Sequence, residues 1–407
     1  MKPFNPKRNS GSVLLATMIF VLAIAAYMVY YLLLVQNSNQ NVVRAQRWNA
    51  ALPIAEAGIE EGMANLNLVG ITTKSAGEKF DSFMRDFNGG NYSVSSSATG
   101  VVSTITSVGS VKAPVTGDPI SRTVRVTAQR QGLFSKGMIS MTFIDMNGNG
   151  VAVDSWNSHD NSQSYYGHYT NSYSGTNGDV AAVNGIVNIG NHTISGDLFL
   201  GPNSSFKKGS VTGTVYTDWN IPFPDVSLPT NDINKNPITW LSAPGDSSMH
   251  MFTNSGYYII SDNGSISNAP GVTVTLDVRK SDYTPSSLNI GGGTTNAGTV
   301  IMYQESGTLT LGGNSSGGAI NNRPENFLYF GMPGVTSIVF SGNSDFVGVI
   351  YAPEADLILN GGGSALNFIG SVIAKSVTMN GKYNFHYDES LAGYYYGYYV
   401  VGSWQEL

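Results

Sequence analysis

Asp145-Met146-Asn147-Gly148-Asn149-Gly150 matches the opening of a calcium loop, Asp-x-Asn-x-Asn-Gly. Carboxylate and amide oxygens at alternate positions suit a hard cation, and the glycine permits the sharp turn between them. The loop also requires a bidentate glutamate at its twelfth position, and Trp156 stands there. Asp145, Asn147 and Asn149 are therefore the metal candidates, with Asp154 and Asp160 as further oxygen donors. The competing reading is an Asn/Gly-rich turn, because both residues take positive φ readily.

His159, His168, His192, His250 and His386 show no zinc-ligand spacing. His386-Tyr387-Asp388-Glu389 groups an imidazole with carboxylates, which is the material of acid–base chemistry but needs mutual geometry to perform it. No Gly-x-Ser-x-Gly elbow surrounds a plausible nucleophile, and the glycine-rich stretches lack a phosphate-loop lysine. Asp345, Glu354 and Asp356 are the carboxylates that a glycan hydrolase or lyase would use, although no basic partner stands beside them. The chain has no cysteine, which excludes disulfides, thiolate metal sites and a cysteine nucleophile. Tyr165, Tyr166, Tyr169 and Tyr173 offer aromatic area with a polar handle, the material of a surface contact to glycan or protein. Packing within a loop is the alternative use.

These residues must be held by elements that the rest of the chain specifies. Of 407 residues only 12% are charged, well below the usual quarter, while 48 are glycine. With Val, Ile, Tyr and Phe interspersed among Ser, Thr and Asn, this composition predicts many short strands joined by tight turns. A net charge of −6 without a long basic tract excludes a nucleic-acid partner, which would need clustered Lys and Arg.

Val13 to Val35 is a run of 23 residues without a charge. A bilayer span needs roughly 20 apolar residues, so the run is long enough to cross. Its apolar residues cover every face of a helix, whereas a soluble helix keeps a polar face. Lys2, Lys7 and Arg8 precede the run, and Arg44 and Arg47 follow it at a distance. That balance predicts a cytoplasmic N-terminus, a single pass through a membrane and a bulk that lies outside the cytoplasm. A cleaved secretory signal is the competing reading, but the run exceeds the usual 7–15 apolar residues of such a signal.

The helix is expected to continue to about Leu68, with Ala55, Ile59, Met63 and Leu66 along one stripe and a kink or restart at Pro53. From Asn91 the pattern turns to alternation. Val124, Val126 and Ala128 alternate with Arg125, Thr127 and Gln129, as in a sheet with one wet face. Further on, two internal repeats stand out. Ile194 to Leu200 matches Val211 to Thr217, and Phe346 to Ala352 matches Phe368 to Ala374. Offsets of this size suggest coils of a parallel β-solenoid, in which stacking supplies the core.

The expected fold class is thus mostly β with a long N-terminal α-helix. Residues 1–69 form the helix, 70–142 a small antiparallel sheet on it, and 143–407 a β-solenoid. The solenoid carries a proline-rich excursion at 222–244 and ends in an aromatic strand, Tyr394 to Leu407, expected to cap its core.

Gly11-Ser12-Val13-Leu14-Leu15, Ala55-Glu56-Ala57-Gly58-Ile59-Glu60-Glu61, Ile105 to Val111 and Arg122 to Val126 together resemble the pilin-like proteins of type IV pilus and type II secretion machinery, minor pilins in particular. The resemblance covers residues 8–130. It implies processing between Gly11 and Ser12, a membrane helix, a sheet packed on that helix, and assembly with other pilin-like subunits. A cut at Gly11 puts Ala16 where major pilins carry glutamate. Val153 to Trp156, Ile194 to Gly201, Val349 to Pro353, Phe385 to Leu391 and Trp404 to Leu407 resemble an uncharacterised β-rich domain found attached to such starts, which implies no activity.

The expected protein is a non-enzymatic, membrane-anchored pilin-like subunit displaying a β-solenoid. Its partners are the bilayer, other pilin-like subunits and a surface polysaccharide. It has no cofactor apart from the calcium candidate. A membrane-anchored, polysaccharide-acting β-helix enzyme is the alternative.

Overall fold

The computed structural model describes residues 10–67, 77–113, 117–232, 236–291, 297–313, 317–319, 321–343, 345–361, 366–394 and 396–407. They fall into two compact units. The first comes from within 1–69, 76–130 and 398–407, the second from within 70–75 and 131–397.

The first unit is built on one helix, Ser10–Asn67, of 58 residues. At 1.5 Å per residue it is about 87 Å long, nearly three times the hydrocarbon thickness of a bilayer. It is continuous through Pro53, which excludes the restart that was one of the two expectations there. Proline removes one hydrogen bond to the carbonyl four residues earlier, here that of Asn49, and both residues are exposed, so water replaces the missing donor.

From Ala51 onward one stripe of the helix is buried: Ala51, Ile54, Ala55, Ile59 and Leu66, with Met63 half-buried beside it. This stripe lies on an antiparallel sheet ordered Phe83–Phe87, Gly90–Thr99, Val102–Lys112, Pro119–Gly132 and Tyr396–Glu406. The Val102–Lys112 strand turns Ser103, Ile105, Ser107, Gly109 and Val111 inward. Three of these five are small because the helix backbone comes close. A Cβ on Gly109 would lie 2.4 Å from the Ala51 carbonyl oxygen, and one on Gly58 would lie 2.3 Å from Ser107 Oγ. Val124, Val126 and Ala128 face inward and Arg125 and Gln129 outward, as their alternation predicts.

The terminal strand is placed differently from the expectation. It joins this small sheet, beside Pro119–Gly132, rather than capping the second unit's core. Ser403 Oγ lies 2.6 Å from Thr127 Oγ1 and the Leu407 amide donates to the Thr123 carbonyl at 2.9 Å, so the two strands run in opposite directions. Tyr399 is buried, accepts the Glu78 amide at its hydroxyl (2.8 Å), and donates its own amide to Asn67 Oδ1 (2.7 Å). The Arg130 guanidinium lies 4.9 Å above its ring and 3.0 Å from Glu78. These bonds need partners from both ends of the chain, which explains why local pattern did not reveal them.

The second unit is a 15-stranded sheet with a separate three-stranded one. Among the described residues every ladder between its strands is parallel. Both sequence repeats are register pairs in it. Phe346 sits opposite Phe368 and Ala352 opposite Ala374; Ile194 sits opposite Val211 and Phe199 opposite Tyr216.

The strands do not simply stack in chain order. Leu366–Met379 pairs back to Met138–Asp145, which leads through Val180–Ile194, Ala152–Trp156 and Tyr383–Asp388 to Leu366–Met379 again. The result is a closed ring of five parallel strands with further strands attached. Parallel strands buried on both faces read as near-continuous apolar runs, as Phe346 to Pro353 does at the start of strand Phe346–Leu359, whose second half, from Glu354, alternates instead. Phe340, Phe346, Phe368 and Phe385 form a row of rings whose neighbouring centroids are 4.7 to 4.8 Å apart, within stacking range. The described residues of the proline-rich stretch 222–244 are largely without regular structure. The stretch is tied down by buried Val226 and by the Pro224 carbonyl, which accepts the Tyr351 hydroxyl at 2.7 Å.

Candidate functional site

Two surfaces stand out, one on each unit. On the first, the helix from Val13 to Leu34 is exposed around its whole circumference: Leu14 is 74% exposed, Phe20 68%, Tyr27 71% and Leu33 54%. Ala23, Ala25 and Ala26 lie among them, small enough for another helix to approach closely. The helix is long and apolar enough to cross a membrane, and its most apolar window buries nothing within the chain. Gly11 and Ser12 lie in its first turn.

On the second unit the four tyrosines singled out by sequence separate into two kinds. Tyr165 and Tyr166 sit at the tip of a two-residue hairpin. Tyr165 and His168 exchange both backbone hydrogen bonds at 3.0 Å, and Tyr166 and Gly167 take φ of +51° and +79°. Their rings meet edge-on at 4.9 Å, with Tyr165 57% and Tyr166 80% exposed. Tyr169, by contrast, is drawn inward. Its ring stacks on His386 at 3.7 Å and meets Trp156 edge-on at 6.0 Å, and its hydroxyl donates to Asp154 Oδ2 at 2.7 Å. Burial, together with that bond, holds its proton well above the usual tyrosine range. Tyr173 lies half-buried on a short 3-10 turn, Asn171–Tyr173.

Behind the hairpin lies a polar network that sequence reasoning did not assemble. His386 is buried between Asp154 Oδ1 (2.5 Å, at Nδ1) and Asn367 Oδ1 (3.0 Å, at Nε2). Ser174 Oγ also donates to Asp154 Oδ2, at 2.7 Å. Both imidazole nitrogens are committed, so the group acts as a clasp between strands and has no nitrogen to offer a substrate. Asp388 is fully buried, and its Oδ1 accepts the amides of Ser158 (3.0 Å) and Ser390 (3.1 Å). Burial pushes its carboxyl above the ordinary range, which keeps a proton on it more readily. Glu325, also buried, accepts from His159 Nε2 at 2.8 Å. The sequence signals for this network were the His386 to Glu389 cluster and polar side chains interrupting apolar strands, as in Ala152–Trp156 and Tyr383–Asp388; nothing local paired His386 with Asp154.

The calcium candidates are placed as follows. Asp145 Oδ1 accepts the Asn188 amide at 2.7 Å and its Oδ2 accepts that of Asn147 at 2.6 Å. Asn188 stands opposite Asp145 in the neighbouring strand, so these groups form a cross-strand ladder. Asn149 lies in the following loop. Trp156, at the twelfth position, is a core residue, and Asp154 is committed to His386. Asp160 is bonded to Ser162 within its own turn, at 2.7 and 2.8 Å. Among the described residues no three His, Cys, Asp or Glu side chains gather into a metal-holding group.

The carboxylates of the glycan-hydrolysis alternative are also individually engaged. Asp345 accepts from the Asn367 amide at 2.7 Å, and Asp356 accepts from Ser376 Oγ at 2.6 Å; Glu354 is exposed.

Residues 231–394 match a family model described as a domain of unknown function (DUF7305). No curated protein matches the chain. Among solved structures, the chain is similar to the competence-associated pilin ComZ from Thermus thermophilus. That likeness covers 89% of this chain and 97% of the other at 12% identity, with a TM-score of 0.31, below the level of a shared fold.

Proposed function

We propose that this chain is a non-enzymatic, pilin-type protein. In this reading the apolar half of its helix is held in the inner membrane, the N-terminus is cytoplasmic, and the second unit is displayed outside the cytoplasm. The helix also packs against other pilin-like subunits through Ala23, Ala25 and Ala26. The observation that carries this reading is the division of one continuous helix at its middle. Val13 to Leu34 is apolar and exposed on every side, while Ala51 to Leu66 buries a single stripe on its own sheet. Apolar surface on that scale is stable only in lipid or against similar helices. We read the parallel ladders of the second unit as a short solenoid whose coils are the two sequence repeats, which the register of Phe346 on Phe368 supports.

The test has two parts. Full-length protein is fractionated and its mature N-terminus sequenced, with recovery in the inner membrane and a terminus at Ser12 expected. Photo-cross-linkers at Ala25 and Ala26 should then capture other pilin-like chains. Full-length, unprocessed protein found free in the cytosol would overturn the anchor, and a strictly monomeric membrane protein would overturn assembly.

A further inference from the structure

Among the described residues three successive pairs take left-handed backbone at both positions: Asn88-Gly89 and Tyr166-Gly167, each the centre of a two-residue turn, and Lys208-Gly209, at an irregularity within strand Leu198–Val211. Asn88-Gly89 is the composition such a turn favours, because asparagine tolerates positive φ better than other residues with a side chain. Tyrosine does not. A bulky residue there is strained, and the strain persists only where the surroundings impose it. Tyr166 gains no burial in return, since it is the most exposed large hydrophobic residue in the described structure at 80%. Neither backbone preference nor core packing therefore explains the residue.

The turn is rigidly mounted. Ser164, almost fully buried, accepts the Gly167 amide at 3.2 Å and donates to the Asp160 carbonyl at 2.8 Å. His168 Nδ1 is bonded to the Asn322 side chain, and Asn322 is itself in left-handed backbone at φ +54°. The Arg323 guanidinium lies against the turn, 3.3 Å from where a Cβ of Gly167 would stand. One residue past His168, Tyr169 is fastened to Asp154 and stacked on His386. Two exposed aromatic rings thus stand on a fixed base, flanked by guanidinium and amide groups and not by an apolar patch.

We propose that the Tyr165–Tyr166 tip, with Asn322 and Arg323 at its side, is a binding site for a polysaccharide of pyranose rings. A pyranose presents a face of C–H groups that lies on an aromatic ring, and an edge of hydroxyls that bonds to amide and guanidinium groups. An apolar protein partner would instead call for a contiguous apolar surface around the rings. Fixing the rings in advance lowers the entropy lost on binding, which gives a rigid, strained tip its use. The inference deepens the proposed function only in requiring the second unit to lie outside the cytoplasm.

The test uses full-length protein in a detergent without a sugar headgroup. Cellohexaose and oligogalacturonate are titrated by calorimetry and by saturation-transfer NMR. At least one should bind, with transfer to the sugar C–H protons, and oligogalacturonate binding more tightly would assign a carboxylate to Arg323. Tyr166→Asn should weaken binding at least tenfold while raising Tm by about 2–4 °C, because the turn relaxes. Tyr165→Ala should weaken binding without raising Tm. The site is overturned if neither sugar binds the unaltered protein, if Tyr166→Asn binds normally, or if Tyr166→Asn lowers Tm and so shows the ring to be structural. None of these outcomes bears on membrane fractionation, so failure here leaves the anchor reading standing.

Discussion

The two halves of the helix share one backbone and differ in what covers them. Between Ala51 and Leu66 the buried residues recur every three or four positions, and the side facing the sheet includes glycine and alanine. Between Val13 and Leu34 there is no such period, and large side chains point in all directions. Apolar surface that the chain covers itself is patterned and fitted to a particular partner. Apolar surface left to a medium is uniform, because lipid makes no demand on which face a residue occupies. Each half should therefore break under a different kind of substitution.

The largest effect is expected in the uncovered half. An arginine at the centre of a span costs about 2.5–3.5 kcal/mol of insertion, so Leu22→Arg with Ile24→Arg costs roughly 5–7 kcal/mol. The double variant should leave the membrane pellet, while the first unit's melting, followed by far-UV circular dichroism in detergent, stays unchanged. Retention in the membrane would show that the exposed half is covered by something other than lipid.

Gly58→Leu is the converse. A leucine directed at Ser107 overpacks the contact and should destabilise the first unit by about 1–3 kcal/mol, read as a lower Tm, with membrane recovery unaltered. A loss of membrane recovery without a change in Tm would erase the distinction between the halves.

The smallest effect sharpens the boundary. The Tyr92 hydroxyl donates to Glu61 Oε2 at 2.5 Å, and Arg85 pairs with Glu61 at 2.6 Å. The bond to the Glu61 carboxylate, and then burial, hold the Tyr92 proton above its ordinary value near 10. A raised pKa in the folded state contributes stability that is complete below pH 10 and lost as pH climbs past that value. Tyr92→Phe should cost about 1 kcal/mol at neutral pH and flatten the alkaline limb of the stability–pH curve. An unchanged limb would mean that Glu61 does not bind the helix to the sheet in this way.

Much of this architecture is legible in short stretches of chain. The alternation in Val124 to Gln129 gives the inward and outward faces correctly, and each repeat marks a ladder in register. Strand Phe83–Phe87 is not legible, because four of its five residues are exposed and no alternation marks it. Val108 reads as apolar strand, yet the inward face belongs to Ser103, Ile105, Ser107, Gly109 and Val111. There the close helix selects small residues over apolar ones. At the candidate sites, the four tyrosines are visible as a cluster, but nothing in their spacing separates Tyr169, which is fastened to Asp154, from the exposed pair before it. The Asp154–His386 bond joins residues 232 positions apart, and no local pattern carries information over that distance.

Sequence by itself determined the length and uniform apolarity of the first half of the helix, the stripe on its second half, and the pairing of the repeats. Each depends on side chains within one period of a regular element, where backbone geometry fixes the neighbours. Tertiary structure alone decided that the terminal tyrosine strand completes the small sheet, that five parallel strands close into a ring, and that one tyrosine of four is fastened inward to Asp154 and His386 while two stand at a strained tip. Those outcomes depend on backbone edges, buried polar partners and close approaches supplied by distant segments, and they exist only once the chain has brought those segments together.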